Sequence, residues 1–279
     1  MRVHIREKRD DMNKKILVLD IDGTLTNSKK EVTPETKKAI LDMINRGHSC
    51  MLASGRPAPG MSYVADCLEF DKYGGYLLSL NGAKIIKYDT KEVIHQTILE
   101  HKYLEELHKF AIEHKCGILS YSSDTILSGN GIDEFVEKES SLNRLRVKEL
   151  DNFADDITFD VNKCLMTAPP ERAAKLTEIL ADKYKGVLSV YRSEPYFIEI
   201  LPLGVDKATR LDLILPMIGF SKETCIACGD GYNDITMIDY AGIGVAMANA
   251  QPEVKAVANY VTLSNDEDGL IPVIEKYLG

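Results

Sequence analysis

Short apolar runs recur along the chain, and each ends in small or acidic residues. Ile16-Leu17-Val18-Leu19 runs into Asp20-Ile21-Asp22-Gly23, Cys50-Met51-Leu52 into Ala53-Ser54-Gly55-Arg56, and Thr224-Cys225-Ile226-Ala227-Cys228 into Gly229-Asp230-Gly231. Unbroken apolar runs of this length, bounded by turn residues, predict strands buried on both faces. Helical punctuation separates the first two. Thr33 can cap a helix with Pro34 at its first position, Ala39, Ile40, Met43 and Ile44 form its apolar face, and Gly47 stops it. A strand over 49–53, a short helix containing Met61 to Leu68 and a strand over 76–80 complete a β-α-β-α-β order. That order predicts a parallel sheet with right-handed crossovers.

From about residue 88 the pattern changes. Residues 93–99 and 117–127 read as strands, and 102–115 and 132–139 as helices. Then 162–167 reads as a strand, 171–184 as a helix behind Pro169-Pro170, and 187–192 with 196–201 as a β-hairpin. Hydrophilic helices among these strands predict an α+β module built on a single-layer sheet. The core resumes with strands near 224–228, 243–245 and 260–262. No repeat, low-complexity tract or heptad run is present.

The 279 residues suffice for one large domain or two moderate ones. A net charge of −9 argues against nucleic acid as a partner, because phosphate neutralisation needs a basic face. An anionic small molecule stays open, since a metal ion and a few cations can reverse the local field. Of six scattered cysteines, at 50, 67, 116, 164, 225 and 228, three lie in apolar strand-like runs, which predicts buried thiols in a reducing compartment. Cys225-Ile-Ala-Cys228 matches C-x-x-C within a predicted strand, where residues three apart face opposite sides, so no redox or zinc role is expected. No stretch of about 18 uncharged apolar residues occurs, and no membrane span is expected. Arg2, Arg6, Lys8, Arg9 and Asp10 precede no apolar signal-peptide core. The expected location is the cytoplasm. Residues 1–11 read as a polar extension, and Met12-Asn13-Lys14-Lys15 as an alternative start.

The candidate chemistry sits at strand ends, where open α/β sheets bind ligands. Asp20 and Asp22, with Gly23 to turn the chain, suit a Mg²⁺ site in which one aspartate can also be a nucleophile; Asp-Gly is equally a common turn. Ser54 and Gly55 can offer a hydroxyl and a backbone N–H to a phosphate oxygen, though alone they read as a Ser-Gly turn. Lys207 stands before the apolar-periodic Ala208, Leu211 and Leu215, near a helix start where a cation opposes the dipole. Alone it reads as a solvated lysine. Asp230 and Asp234 again put carboxylates at a strand end.

In order, these four segments resemble the four motifs of the haloacid dehalogenase superfamily of aspartate-dependent phosphohydrolases. Asn81-Gly82-Ala83, the run 244–250 and the run 264–270 are similar to hallmarks of its Cof-type subfamily, and the block between the Ser54 and Lys207 segments resembles a type IIB cap. The resemblance runs from about Lys14 to the end. It departs at Ala208 and Ala248, where glycine is usual, and at Ser54, which keeps the hydroxyl of the commoner threonine.

The resemblance implies a Rossmann-like parallel-sheet core, 12–87 and 195–279, with an inserted α+β cap domain at 88–194. It implies a Mg²⁺-dependent phosphatase that hydrolyses small phosphorylated metabolites, sugar phosphates or similar, through an aspartyl-phosphate. Asp20 would be the nucleophile and Asp22 the acid and base, both pointing the same way if the segment is extended. Mg²⁺ would be held by Asp20, the backbone carbonyl of Asp22 and Asp230, with Asp234 orienting them. Ile21, Ser54, the N–H of Gly55, Lys207 and Asn233 would hold the phosphoryl oxygens. Specificity is expected in the cap block; of Arg56, Asn81, Arg192, Glu194 and Glu199, two are expected to line the leaving-group pocket. The only partner implied is a small-molecule phosphate ester, with no nucleic acid, membrane or obligate protein partner. Asp22 argues against a dehalogenase, which needs no protonated leaving group. The short connection between the Asp20 and Ser54 segments argues against a phosphomutase, and the chain length against a receiver module.

Overall fold

Among the described residues, 14–279 of this computed structural model, fourteen strands form two sheets. β1 (Ile16–Leu19), β2 (Ser49–Ala53), β3 (Tyr76–Ser79), β4 (Lys84–Lys87) and β5 (Glu92–Gln96) come first. β6 (Gly117–Tyr121), β7 (Thr125–Ser128), β8 (Arg146–Glu149), β9 (Cys164–Thr167), β10 (Leu188–Glu194) and β11 (Phe197–Pro202) follow. β12 (Cys225–Gly229), β13 (Ile243–Ala246) and β14 (Tyr260–Val261) complete the set. The expected extension over 1–11 lies outside the described residues.

The first sheet has the order β14-β13-β12-β1-β2-β3-β4-β5. Every pairing from β14 to β3 is parallel, with Leu17 opposite Ile226 on one side and Cys50 on the other. The strand order therefore runs outward in both directions from β1, and the crevice where it reverses is the ligand position of an open α/β sheet. Crossover helices supply the return paths. The helix Pro34–Asn45 begins where the Thr33 hydroxyl accepts from the Thr36 N–H at 3.1 Å, and it buries Ile40 and Met43.

The second sheet has the order β10-β11-β9-β6-β7-β8, antiparallel except for β7 with β8. On one face Ile118, Met166 and Ile198 stand in register, and the helices His101–Glu113 and Pro170–Lys183 bury Leu104, Leu107, Phe110, Leu176 and Leu180 in the same cluster. The helix Glu134–Asn143 starts at Asp133, whose carboxylate accepts from the N–H groups of Phe135 and Val136.

The chain divides into two compact units. One takes the chain up to Ser54, Tyr63–Ile94 and Asp206–Gly279; the other takes Gly55–Ser62 and His95–Val205. These limits differ from the expected 88–194 block for a reason of pairing. β5 extends the first sheet beyond residue 88, and β11 is held in the second sheet by β10 and β9 through Pro202. The segment expected as a strand over 117–127 is two strands, β6 and β7, paired antiparallel. The helix expected over 132–139 runs on to Asn143.

Leu180 is fully buried in the second unit's cluster. Leu180→Ala is expected to lower stability by about 2–5 kcal/mol, measured by chemical denaturation of the purified protein.

Candidate active site

β1 delivers Asp20 to its C-terminal end. The Asp20 N–H still pairs with the Cys228 carbonyl at 3.0 Å, and then the chain turns, with Leu25 N–H donating to the Asp20 carbonyl and Thr26 N–H to the Ile21 carbonyl. Asp22, next to this turn, forms an isolated bridge with Thr26. Gly23 makes the turn at φ +86°, and a Cβ there would run into the Asp230 carboxylate. Conformation and space both demand glycine.

The helix Lys207–Met217 begins at Asp206, whose carboxylate accepts from the N–H groups of Ala208 and Thr209. Its first residue is not solvated but completely buried. The Lys207 ammonium donates to Asp20 Oδ1 at 2.8 Å, to Asp234 Oδ1 at 2.6 Å and to the Ala53 carbonyl at 2.7 Å. All three of its protons are placed. Burial alone would pull its pKa down, but the Asp20 and Asp234 carboxylates outweigh burial and hold it above the usual lysine range. Lys207 therefore stays charged. Burial, with Asp234 next, pushes the Asp20 carboxyl up, against the pull of Lys207.

Asp234 Oδ2 accepts from the N–H groups of Asp230 and Gly231, each at 2.9 Å. Both Asp234 oxygens are thus engaged by protein donors. Asp230 Oδ1 accepts from the Thr24 hydroxyl at 2.8 Å, and burial pushes its carboxyl up to about 6. One oxygen from each of Asp20, Asp230 and Asp234 lies within 4.8 Å of the others. Three carboxylates against one ammonium leave two uncompensated negative charges on hard oxygen donors. That donor set fits Mg²⁺. Asp22 pairs through Oδ1 with Lys30 at 2.8 Å.

Ser54 is buried at the end of β2, its N–H on the Leu78 carbonyl and its carbonyl accepting from the Asn81 N–H, both at 2.9 Å. Leu80 and Asn81 occupy the left-handed region at φ +53° and +54°, a strained pair that turns Asn81 so that its Oδ1 accepts from Asn233 Nδ2 at 3.1 Å. Ile21 is buried, its carbonyl accepting from both the N–H and the hydroxyl of Thr26. The first unit thus brings Asp20, Asp230, Asp234 and Lys207 together and, through Asn81, links Ser54 to Asn233. Gly55, Arg56, Arg192, Glu194 and Glu199 belong to the second unit. There Arg56 and Glu199 are buried and hydrogen-bonded, while Arg192 and Glu194 are exposed on β10.

Several residues of the site carried little signal in the sequence. Thr24, readable as a turn residue, holds Asp230. Lys30 reaches Asp22 from eight residues away, a spacing that fits neither helix nor strand. The run 264–270, a hallmark without an evident task, braces the first loop. Asn265 Nδ2 donates to the Thr26 carbonyl at 2.9 Å, Asp266 accepts from the Ser28 N–H and hydroxyl, and Asp268 accepts from the Thr33 and Thr36 hydroxyls. Asn249 Nδ2 donates to the Gly23 carbonyl at 2.8 Å.

The profile of the haloacid dehalogenase-like hydrolases matches residues 17–274. A solved haloacid dehalogenase-like hydrolase of Bacteroides thetaiotaomicron superposes with a TM-score of 0.90 at 41% identity, covering 94% of this chain and 99% of that one. BT1666 of the same organism, a phosphatase of the haloalkanoate superfamily, superposes with a TM-score of 0.80 at 26% identity, over 94% and 97% of the two chains. YcsE of Bacillus subtilis, a 5-amino-6-(5-phospho-D-ribitylamino)uracil phosphatase, is 29% identical over 272 residues, which cover 97% of this chain and 98% of that protein.

Asp230→Asn removes one crowded charge and keeps an acceptor for Thr24. The Asp230 carboxyl titrates near 6 when folded and near about 4 when unfolded. Below about pH 4 it is protonated in both states; as pH rises to about 6 the unfolded chain ionises first, and the native state loses stability. In chelator, the variant is expected to melt above the wild type by a margin that is absent near pH 4 and full above about pH 6. Melting curves across that range check it, and a wild type that melts higher at pH 7 refutes it.

Proposed function

From the premise that this chain belongs to the haloacid dehalogenase-like hydrolases and is a phosphatase, we propose that it hydrolyses small phosphorylated metabolites with Mg²⁺, through an aspartyl-phosphate on Asp20. The observation that carries the reading is the Lys207 ammonium shared between Asp20 and Asp234. A buried carboxylate can meet a phosphate dianion only where its own charge is offset, and Lys207 offsets it.

The proposed chemistry follows from the residues. Lys207 occupies Asp20 Oδ1, so Oδ2 is the oxygen that attacks phosphorus while the bond to the leaving alcohol breaks. Asp22 gives its proton to the departing oxygen, then takes one from the water that hydrolyses the acyl phosphate and returns Asp20 to a carboxylate. Ser54, Asn233 and the N–H groups of Ile21 and Gly55 are the proposed donors to the phosphoryl oxygens, preset donors of the kind worth about 2–4 kcal/mol each to such a barrier. Asp20, Asp230 and the Asp22 carbonyl would hold Mg²⁺, which when bound neutralises charge on the transferring group. Asp234, with both oxygens engaged, would orient the others.

The substrate class is a proposal drawn from the relatives: YcsE acts on a phosphorylated ribitylaminouracil, a small phosphate ester. Specificity is assigned to the α+β unit, because the residues around Asp20 address only the phosphate.

Asp20→Asn is expected to abolish hydrolysis of an aryl phosphate while leaving the melting profile cooperative; near-normal turnover would sink the covalent route. EDTA should remove activity, Mg²⁺ restore it and Ca²⁺ fail to, since Ca²⁺ takes longer bonds and more ligands. Full activity in chelator refutes the metal requirement.

A further inference from the structure

The peptide after Ser54 is built into the buried polar cluster of the second unit. We infer that Lys163, aligned by Glu199, is a positioning residue for phosphate recognition, fixing the conformation of Gly55. The inference rests on the proposed role of the Gly55 N–H.

Lys163 precedes β9 on the sheet face opposite the aliphatic cluster, in phase with Leu165, and Glu199 of β11 lies in register with Leu165. The Lys163 side chain is only 2% exposed. Its ammonium donates to Glu199 Oε2 at 2.8 Å and to the Gly55 carbonyl at 3.3 Å. Glu199 Oε1 accepts from the Ser193 hydroxyl at 2.8 Å, so the carboxylate is held from both sides. The ammonium also lies 5.2 Å from the centre of the Tyr121 ring, whose hydroxyl donates to Glu139.

Two further anchors hold the same segment. Arg56 Nη1 donates to the Leu142 carbonyl at 2.6 Å, in the last turn of the helix Glu134–Asn143, where carbonyls lack helical partners and a cation is favoured. Gly60 lies against the Asn143 side chain with no room for a Cβ.

A buried ion pair is a poor way to gain stability, since two apolar residues of similar volume commonly do as well or better. Apolar residues could not hold the Gly55 carbonyl. Glycine has no side chain to restrict its φ and ψ, so the Gly55 N–H stays in place only if its own peptide plane is oriented and the chain leaving Gly55 is anchored. The preceding peptide is pinned through the Ser54 carbonyl, which accepts from Asn81 N–H. Lys163 pins the following one.

The test measures the Kd of inorganic phosphate in Mg²⁺ by calorimetry, and kcat and KM for one aryl and one sugar phosphate. Lys163→Met is expected to raise the phosphate Kd and both KM values about ten-fold or more, with a smaller change in kcat. The double variant Lys163→Met, Glu199→Leu removes both charges of the pair and leaves Glu139 its hydrogen bonds from Tyr121 and Asn143; it should melt above Lys163→Met yet keep the weak phosphate binding. Lys163→Gln, which retains a donor for the carbonyl, should bind phosphate more tightly than Lys163→Met. A double variant with wild-type phosphate affinity, equal affinities for the Gln and Met variants, or a defect confined to the sugar phosphate would each overturn the inference. Failure of the wild type itself to bind phosphate or hydrolyse either ester would instead overturn the phosphatase mechanism on which it rests.

Discussion

An ammonium group withdrawn from water must place its three protons on acceptors, and Lys207 does so by drawing three strand ends to one point. Asp20 follows β1, Ala53 ends β2, and Asp234 lies beyond β12. These are the central strand and its two parallel neighbours. The topology that reverses strand order at β1 is what makes those ends adjacent. Without the lysine, Asp20, Asp230 and Asp234 would face one another uncompensated; without the carboxylates, the buried cation would be untenable. The site and the fold are therefore mutually required at this point.

The cost of that arrangement is visible around it. Asp230 is lifted to about 6, and Leu80 and Asn81 sit consecutively in a backbone region that non-glycine residues avoid. Such strain persists only where surrounding contacts over-determine it. Here the Ser54 carbonyl, the Asn233 amide and the close approach of Gly82 to Arg210 do so.

The sheet core was legible because its strands are continuous apolar runs with nothing else to become. β4 and β8 were not: Lys84-Ile-Ile-Lys and Arg146-Val-Lys-Glu are short, polar at both ends, and strands only because a neighbour offers hydrogen bonds. Asp20 and Asp230 could be picked out by position at strand ends, and Lys207 by its place at a helix start. Their hydrogen bonds could not, because Lys207 meets Asp20 across 187 residues. The burial of Lys163 was invisible for the same reason. A lysine in a strand pattern reads as solvent-facing unless its partner, here Glu199 two strands later, is already known to be opposite.

The bracing of the first loop by the run 264–270 has a consequence for how the protein comes into being. Asn265 reaches Thr26 across 239 residues. At roughly 5–20 residues per second of translation, the loop carrying Asp20 leaves the ribosome some tens of seconds before its brace is made. For most of that interval β1 also lacks β12, Lys207 and both later aspartates. A nascent chain therefore carries Asp20 before the residues that surround it in the folded protein exist, and the loop is braced only once Asn265 has been made.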